Sequence, residues 1–331
     1  MTFRYDDVYI NNYSVVGGPY EKDGLLGDKL DKVYTNLYAG EKSWEQAEVK
    51  MLSDSIEILL NKSKKDSKDI DLLISGDLLN QICASSYAAF NFNIPFFGIY
   101  SACASSIEGI ILMSSLIDGK KIKNGIVSVS SHNMASEKQF RNPTEYGAPK
   151  PSTATFTSTG GASVLLSKDK GKIKVSSSTI GKIVDMNQND PLHMGAVMAA
   201  AAGDTIYNHL KNMKETVNDY DLILTGDLGK YGREILIDYM KEEYNIDLGK
   251  NYEDSGTLLY DYSKQEEVLA GASGPLCIAM VSYSDILPKI EKGVFKKVLL
   301  VATGALFSPT FVFQRKPIYS ISHALCLEGI K

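Results

Sequence analysis

The chain of 331 residues is poor in sulfur and imidazole, with four cysteines (Cys83, Cys103, Cys277, Cys326) and four histidines (His132, His193, His209, His323). No Cys-x-x-Cys pair occurs, which argues against a disulfide framework or a structural zinc site. The thiols are expected in a reducing compartment. No apolar run approaches the ~20 residues of a membrane span, and the first residues lack the basic-then-apolar pattern of a signal peptide. A basic excess is also missing. Lys+Arg is 35 and Asp+Glu is 40, leaving a net charge of −5, which disfavours a general nucleic-acid binder. With 44% hydrophobic residues, the chain has an ordinary globular composition and needs no covalent staples. Its length suits two domains or one large duplicated unit.

Apolar β-rich runs alternate with longer helical patterns, which indicates an α/β protein. Strands are predicted at 71–75, 125–131, 162–167, 173–177, 221–225 and 297–303, and helices at 44–63, 105–117, 195–213, 233–244 and 274–292. An internal repeat organises them. DIDLLISGDLLNQ at 69–81 matches DYDLILTGDLGKY at 219–231, an offset of 150 residues. Fixed-order self-similarity of this kind points to duplication. Two looser pairs keep the same order: Tyr100–Cys103 with Tyr252–Ser255, each expected before a helix, and Ile126–Ser131 with Val298–Thr303. The halves divide near KDKGK, giving 1–170 and 171–331, with a site expected at their interface.

In PFFGIYSACASSIEG (95–109), a strand runs into small residues and then a helix, placing Cys103 at the turn. Helix-start N–H groups and the macrodipole favour a thiolate there. Local sequence leaves two readings open, a nucleophilic or ligand-contacting thiol and a small buried hydrophobe.

A strand followed by Ser-Ala-Cys-Ala-Ser at a helix start, in a duplicated α/β chain, resembles the nucleophile turn of the thiolase superfamily. That resemblance implies a five-layered αβαβα fold with two halves related by a pseudo-twofold axis, and a homodimer. A narrower resemblance rests on LDKVYTNLYAGEKSWEQAE (30–48), ISGDLLNQI (74–82), SSHNMASEKQFRNPTEYG (130–147), DPLHMGAVMAAAAGDTI (190–206), TGDLGKYG (225–232) and VATGALFSP (301–309). Together these resemble the stage V sporulation protein AD family. The resemblance implies binding of dipicolinic acid or its calcium chelate, and support of its uptake into the developing spore. It further implies partnership with the other stage V sporulation A membrane proteins, and a peripheral position on the forespore or spore inner membrane.

Condensation chemistry in the superfamily needs partners for the cysteine: an imidazole, and a second His or an Asn. The strand expected to present the imidazole ends in Leu224-Thr225-Gly226-Asp227, without His. The next Gly-rich segment, LAGASGP (269–275), has neither His nor Asn, and the late segment ATGALFSP (302–309) has no second Cys. Cys103 thus stands as a vestigial nucleophile, and the chain is expected to bind rather than catalyse, because lost general bases cost orders of magnitude in rate. Two alternatives stay open: a Cys-dependent acyltransferase with a rewired site, and an interaction scaffold whose pocket has closed.

Dipicolinate is a flat dianion, so it calls for cationic or N–H donors and an apolar wall. The candidate ligand-binding residues are Cys103, His132, Arg141, Asp77, Asn80, Phe156, Thr157, His193 and Ser273, with calcium entering only alongside the ligand. Arg141 suits a carboxylate fork. It lies with Glu137, Lys138, Glu145, Tyr146 and Lys150 in a loop expected over 136–151. Phe156 could wall the ring or pack in the core. His132 and His193 could contact a ligand or hold structure. His209 is expected to face solvent, and His323 to be packed. Asp77 and Asp227 share one repeat position, which argues that at least one of them caps the following helix. Trp44 opens a helix that Ser43 can cap.

Overall fold

The computed structural model describes residues 1–140 and 149–330. The first half of the chain carries β1 (Thr2–Arg4), β2 (Tyr9–Gly17), α1 (Pro19–Lys22), β3 (Lys32–Val33), α2 (Trp44–Ser63), β4 (Leu72–Gly76), α3 (Cys83–Phe90), β5 (Phe96–Gly98), α4 (Ser105–Asp118), β6 (Asn124–Ser131), α5 (Asn133–Phe140), β7 (Phe156–Thr157) and β8 (Gly160–Ser167). The second carries β9 (Ile173–Ile180), α6 (Met194–Met213), β10 (Leu222–Thr225), α7 (Gly229–Tyr244), β11 (Tyr252–Asp254), β12 (Ala272–Ser273), α8 (Pro275–Val281), α9 (Leu287–Glu291), β13 (Lys297–Leu306), α10 (Pro309–Phe313) and β14 (Tyr319–Gly329).

The main sheet runs β11-β10-β13-β14-β9-β2-β8-β6-β4-β5, with β1 and β3 paired at its middle. From the β9–β2 junction outward, both sides repeat one order, which is what duplicated halves divided between β8 and β9 would produce. Helices α4, α8 and α9 share one apolar cluster with strands of both sides. Helices α6 and α7 pack outside the second set of strands, and α2 and α3 outside the first. The layers therefore run α, β, α, β, α.

Local chemistry explains the repeat. Ser43 caps α2 by accepting from the Gln46 N–H at 3.2 Å, and the helix buries Ala47, Met51, Leu52, Ile56 and Leu59. It stops at Lys64 in the left-handed region (φ 52°), as α6 stops at Lys214 (φ 60°). A capping box follows each helix, Asp66 with Asp69 and Thr216 with Asp219, and turns the chain into β4 and β10. Every one of these positions keeps the offset of 150 residues seen in the sequence.

The two looser sequence pairs are corrected. Phe96 lies opposite Leu73 as Tyr252 lies opposite Ile223, so Tyr252 corresponds to Phe96 and not to Tyr100. No long helix follows Ser255, and α8 begins only at Pro275. Ile126 corresponds to Leu299, one residue beyond Val298. With a side-chain period of two, that single step exchanges the faces of the strand. The predicted helix 274–292 is interrupted by a π-turn at Ser282–Ile286. Pro288 supplies the reason, since it cannot donate to a carbonyl four residues back. The loop expected from residue 136 is helical as far as Phe140. The short α3 escaped prediction because CASSYAAF offers little apolar periodicity.

Candidate functional site

Cys103 sits where expected, between β5 and α4, half-buried at the lip of an inner cavity of about 60 Å³. Ala102 takes φ 49° to make the turn. The Ser105 hydroxyl accepts from the Ser101 N–H at 3.0 Å and donates to the Ala102 carbonyl at 2.8 Å, which locks it. Gly304 of β13 passes so close that a Cβ would meet the Ser101 carbonyl at 2.4 Å. The cavity is lined by Cys103, Asp227, Ser273, Gly274, Thr157, Thr155, Ser136, Glu137 and Tyr100, with Leu78, Ala102, Phe140, Met194, Met198, Ala305 and Phe307 as its apolar wall. Residues of both halves thus meet there.

Of the candidates, the structure gathers Cys103, Thr157 and Ser273 around this cavity. Thr157 and Ser273 are partners in the β7–β12 pair. The others are engaged elsewhere. Asp77 accepts from the Leu79 and Ser85 N–H groups at 2.8 Å each, fixing the start of α3. Asn80 is exposed, its N–H donating to Gln139. His132 is fully buried, with Nε2 against the Leu37 carbonyl at 2.7 Å, and burial lowers its pKa. His193 caps α6 by accepting from the Ala196 N–H at 3.4 Å. Phe156 packs between Tyr20 and Tyr260, with centroids at 4.9 and 5.7 Å, so it belongs to the core. The aromatic pair that lines the cavity is Phe140 and Phe307, centroids 5.5 Å apart. Arg141, Glu145 and Tyr146 lie outside the described residues.

His209 does not face solvent. It is fully buried, with Nδ1 at 2.8 Å from the Thr179 hydroxyl, and burial drives its pKa down to about 4. His323 is packed in β14 as expected, likewise depressed to about 4 by burial.

The residue that sequence reasoning undervalued is Asp227. Repeat symmetry argued only that at least one of Asp77 and Asp227 caps a helix, and Asp77 is the one that does. In the structure α7 is capped by Asp254 from β11, which accepts from the Leu228 N–H at 3.1 Å, the Gly229 N–H at 2.9 Å and the Gly256 N–H at 3.0 Å. The matching position on β5 is Gly98, so the first half has no such acid and Asp77 must cap. Relieved of that task, Asp227 turns into the cavity. Its Oδ1 accepts from the Thr303 hydroxyl at 2.6 Å and its Oδ2 from the Gly274 N–H at 3.2 Å, and its carboxyl is within hydrogen-bonding reach of the Cys103 thiol. Burial outweighs these donors and pushes its pKa up to about 7. Tyr100 at the lip is pushed up to about 12, chiefly by burial and then by the neighbouring Cys103. Glu137 is buried and pairs with Lys150 at 2.9 Å.

The cavity can therefore hold a small molecule against two aromatic rings, with a thiol, hydroxyls and a carboxyl that titrates near neutrality. Among the described residues its lining has no His and no Asn.

Comparison with known proteins agrees with this architecture. The 3-oxoacyl-[acyl-carrier-protein] synthase III of Aquifex aeolicus VF5 superposes with a TM-score of 0.58 at 13% identity, covering 97% of this chain and 99% of that one. Cerulenin-bound OleA of Xanthomonas campestris superposes with a TM-score of 0.62 at 14% identity, covering 98% and 97%. The fold is thus thiolase-like, and at such identities the likeness extends to the fold alone. The Stage V sporulation protein AD of Bacillus subtilis (strain 168) is 43% identical over 321 residues, 97% of this chain and 94% of that protein. The family model for Stage V sporulation protein AD (SpoVAD) matches residues 1–328, and the chain belongs to that family.

Proposed function

We propose that the chain serves sporulation as a binding protein, and that the cavity beside Cys103 takes dipicolinic acid, alone or as its calcium chelate, in support of its uptake into the developing spore. Family membership supports the sporulation role. One observation carries the binding reading: the strand expected to present an imidazole to the cysteine presents Asp227 instead. A carboxyl polarises a thioester carbonyl poorly, and in its ionised form it opposes the negative charge that builds up in a condensation. The Phe140–Phe307 pair offers a wall for a flat ring, and Thr157 and Ser273 offer hydroxyls. Calcium would arrive already coordinated, with Asp227 and Glu137 the carboxyls able to complete its shell.

A homodimer fits the β5 edge, where Phe97 is 58% exposed and Tyr87 and Phe90 of α3 lie open beside it. No helix among the described residues is long and apolar enough to cross a membrane. Attachment to the forespore membrane would then depend on the other stage V sporulation A proteins.

Isothermal titration calorimetry with dipicolinate, with and without calcium, tests the binding reading. Saturable binding by the folded protein is expected, and its absence under both conditions would sink the proposal. A second reading, acyl transfer, draws on the half-exposed Cys103 beside a carboxyl that could accept its proton. Mass spectrometry after incubation with acyl-CoA of several chain lengths decides it, and acylated Cys103 would favour transfer over simple binding.

A further inference from the structure

Asp227 is fully buried and yet lines the cavity. Among the described residues, the groups around it are Cys103 and Tyr100 from the α4 turn, Gly274 and Cys277 from the start of α8, Thr303 from β13, and Asp254 from β11. Glu137 of α5 also lines the cavity, with its charge met by Lys150. Among the described residues no cation pairs with Asp227, and the nearest additional charges are acidic. A ligand carboxylate entering this space beside Cys103 comes up against the Asp227 carboxyl.

We propose that Asp227 is a ligand-binding residue that meets a carboxylate through a shared proton, so that binding beside Cys103 takes up one proton. The inference rests on the reading that the cavity accepts a carboxylate ligand. Two carboxylates in hydrogen-bonding contact, away from water, cannot both ionise, and they hold one proton as a pair. The site is prepared for this, because burial already brings Asp227 to half-ionisation near pH 7. The proton balance is simple. Above that midpoint, ionised Asp227, the ligand anion and one proton from solvent form the complex, and the proton bridges the two carboxyls. Below it, Asp227 already carries the proton and none is taken up. Because Asp254 caps α7, Asp227 is left facing the cavity, where its oxygens, accepting from Thr303 and Gly274, keep lone pairs for a shared proton.

The experiment is calorimetric titration of dipicolinate into the full chain, in calcium-free buffers of two different ionisation enthalpies, from about pH 6 to about pH 8.5. Proton uptake should approach one at the alkaline end and fall toward zero at the acid end. Affinity should drop ~10-fold per pH unit above the midpoint. Asp227→Asn should bind with no pH slope and no proton uptake. Thr303→Val, which deletes a donor to the ionised form, should move the midpoint upward and guards against a folding artefact in the first variant. Wild-type binding without proton uptake across the range, or a slope that survives in Asp227→Asn, overturns the inference while leaving the binding reading intact. No binding by the wild type at any pH removes both.

Discussion

The exchange of roles between repeat-related acids can be tested by three alanine substitutions. Asp77 serves two buried N–H groups at 2.8 Å. Asp254 serves three N–H groups and the Thr225 hydroxyl, the last at 2.6 Å. Each donor stranded in the interior costs about 1–3 kcal/mol. Part of this is offset because burial raises the pKa of both carboxyls, so each is already costly to bury in its charged form. Asp77→Ala and Asp254→Ala should therefore each lose about 2–5 kcal/mol. Asp227→Ala leaves one N–H without its partner, on the cavity-lining Gly274, and frees the Thr303 hydroxyl. It also removes a buried acid displaced from 3.8 to about 7, a relief of up to about 4 kcal/mol at pH above 7. Its stability should be unchanged or higher. Urea unfolding at neutral pH, followed by far-ultraviolet circular dichroism, gives the midpoints, with unchanged m-values confirming a common transition. An Asp227→Ala loss as large as that of Asp77→Ala, or an Asp254→Ala variant within about 1 kcal/mol of wild type, would refute the reasoning.

Three further outcomes are expected. Glu21, hydrogen-bonded to Tyr260 and the Thr159 N–H, is raised by burial to about 7, as is Asp227. The folded state holds both protons between about pH 4 and 7 while the unfolded chain has released them, so stability should fall as pH rises through that window and level off above it; flat urea midpoints between about pH 5 and 8 would contradict this. Helices α6 and α7 cross where a Cβ on Gly232 would meet the Gly195 Cα at 2.6 Å, so Gly232→Val should force the helices apart and lower the urea midpoint by the equivalent of about 1–3 kcal/mol or more. Phe307→Ala should leave folding intact and weaken dipicolinate binding by ~10-fold or more, measured by calorimetry, because half of the aromatic wall is lost.

Much of the architecture was legible along the chain because its determinants are local. The cap at Ser43, the apolar stripe of α2 and the Leu-rich run of β4 each act within a few residues, and the second half repeats their counterparts 150 residues later. The placement of Cys103 at a strand-to-helix turn followed in the same way from its small neighbours. Shorter elements were hidden: α3 and α5 are held by tertiary packing rather than by strong periodicity. The histidines illustrate the same limit. His132 follows a buried strand and His209 lies within α6, yet both are buried on partners distant in sequence, Leu37 and Thr179.

The sequence by itself determined the α/β order, a repeat at an offset of 150 residues and a cysteine at a strand-to-helix turn. Only the tertiary structure decided which of two identical-looking aspartates caps a helix and which faces the cavity. The reason lies 27 residues beyond Asp227, where β11 brings Asp254 to the start of α7 while β5 brings only Gly98 to the equivalent place. A side chain's role depends on which backbone donors its neighbours leave unclaimed, and that is settled when the strands pair.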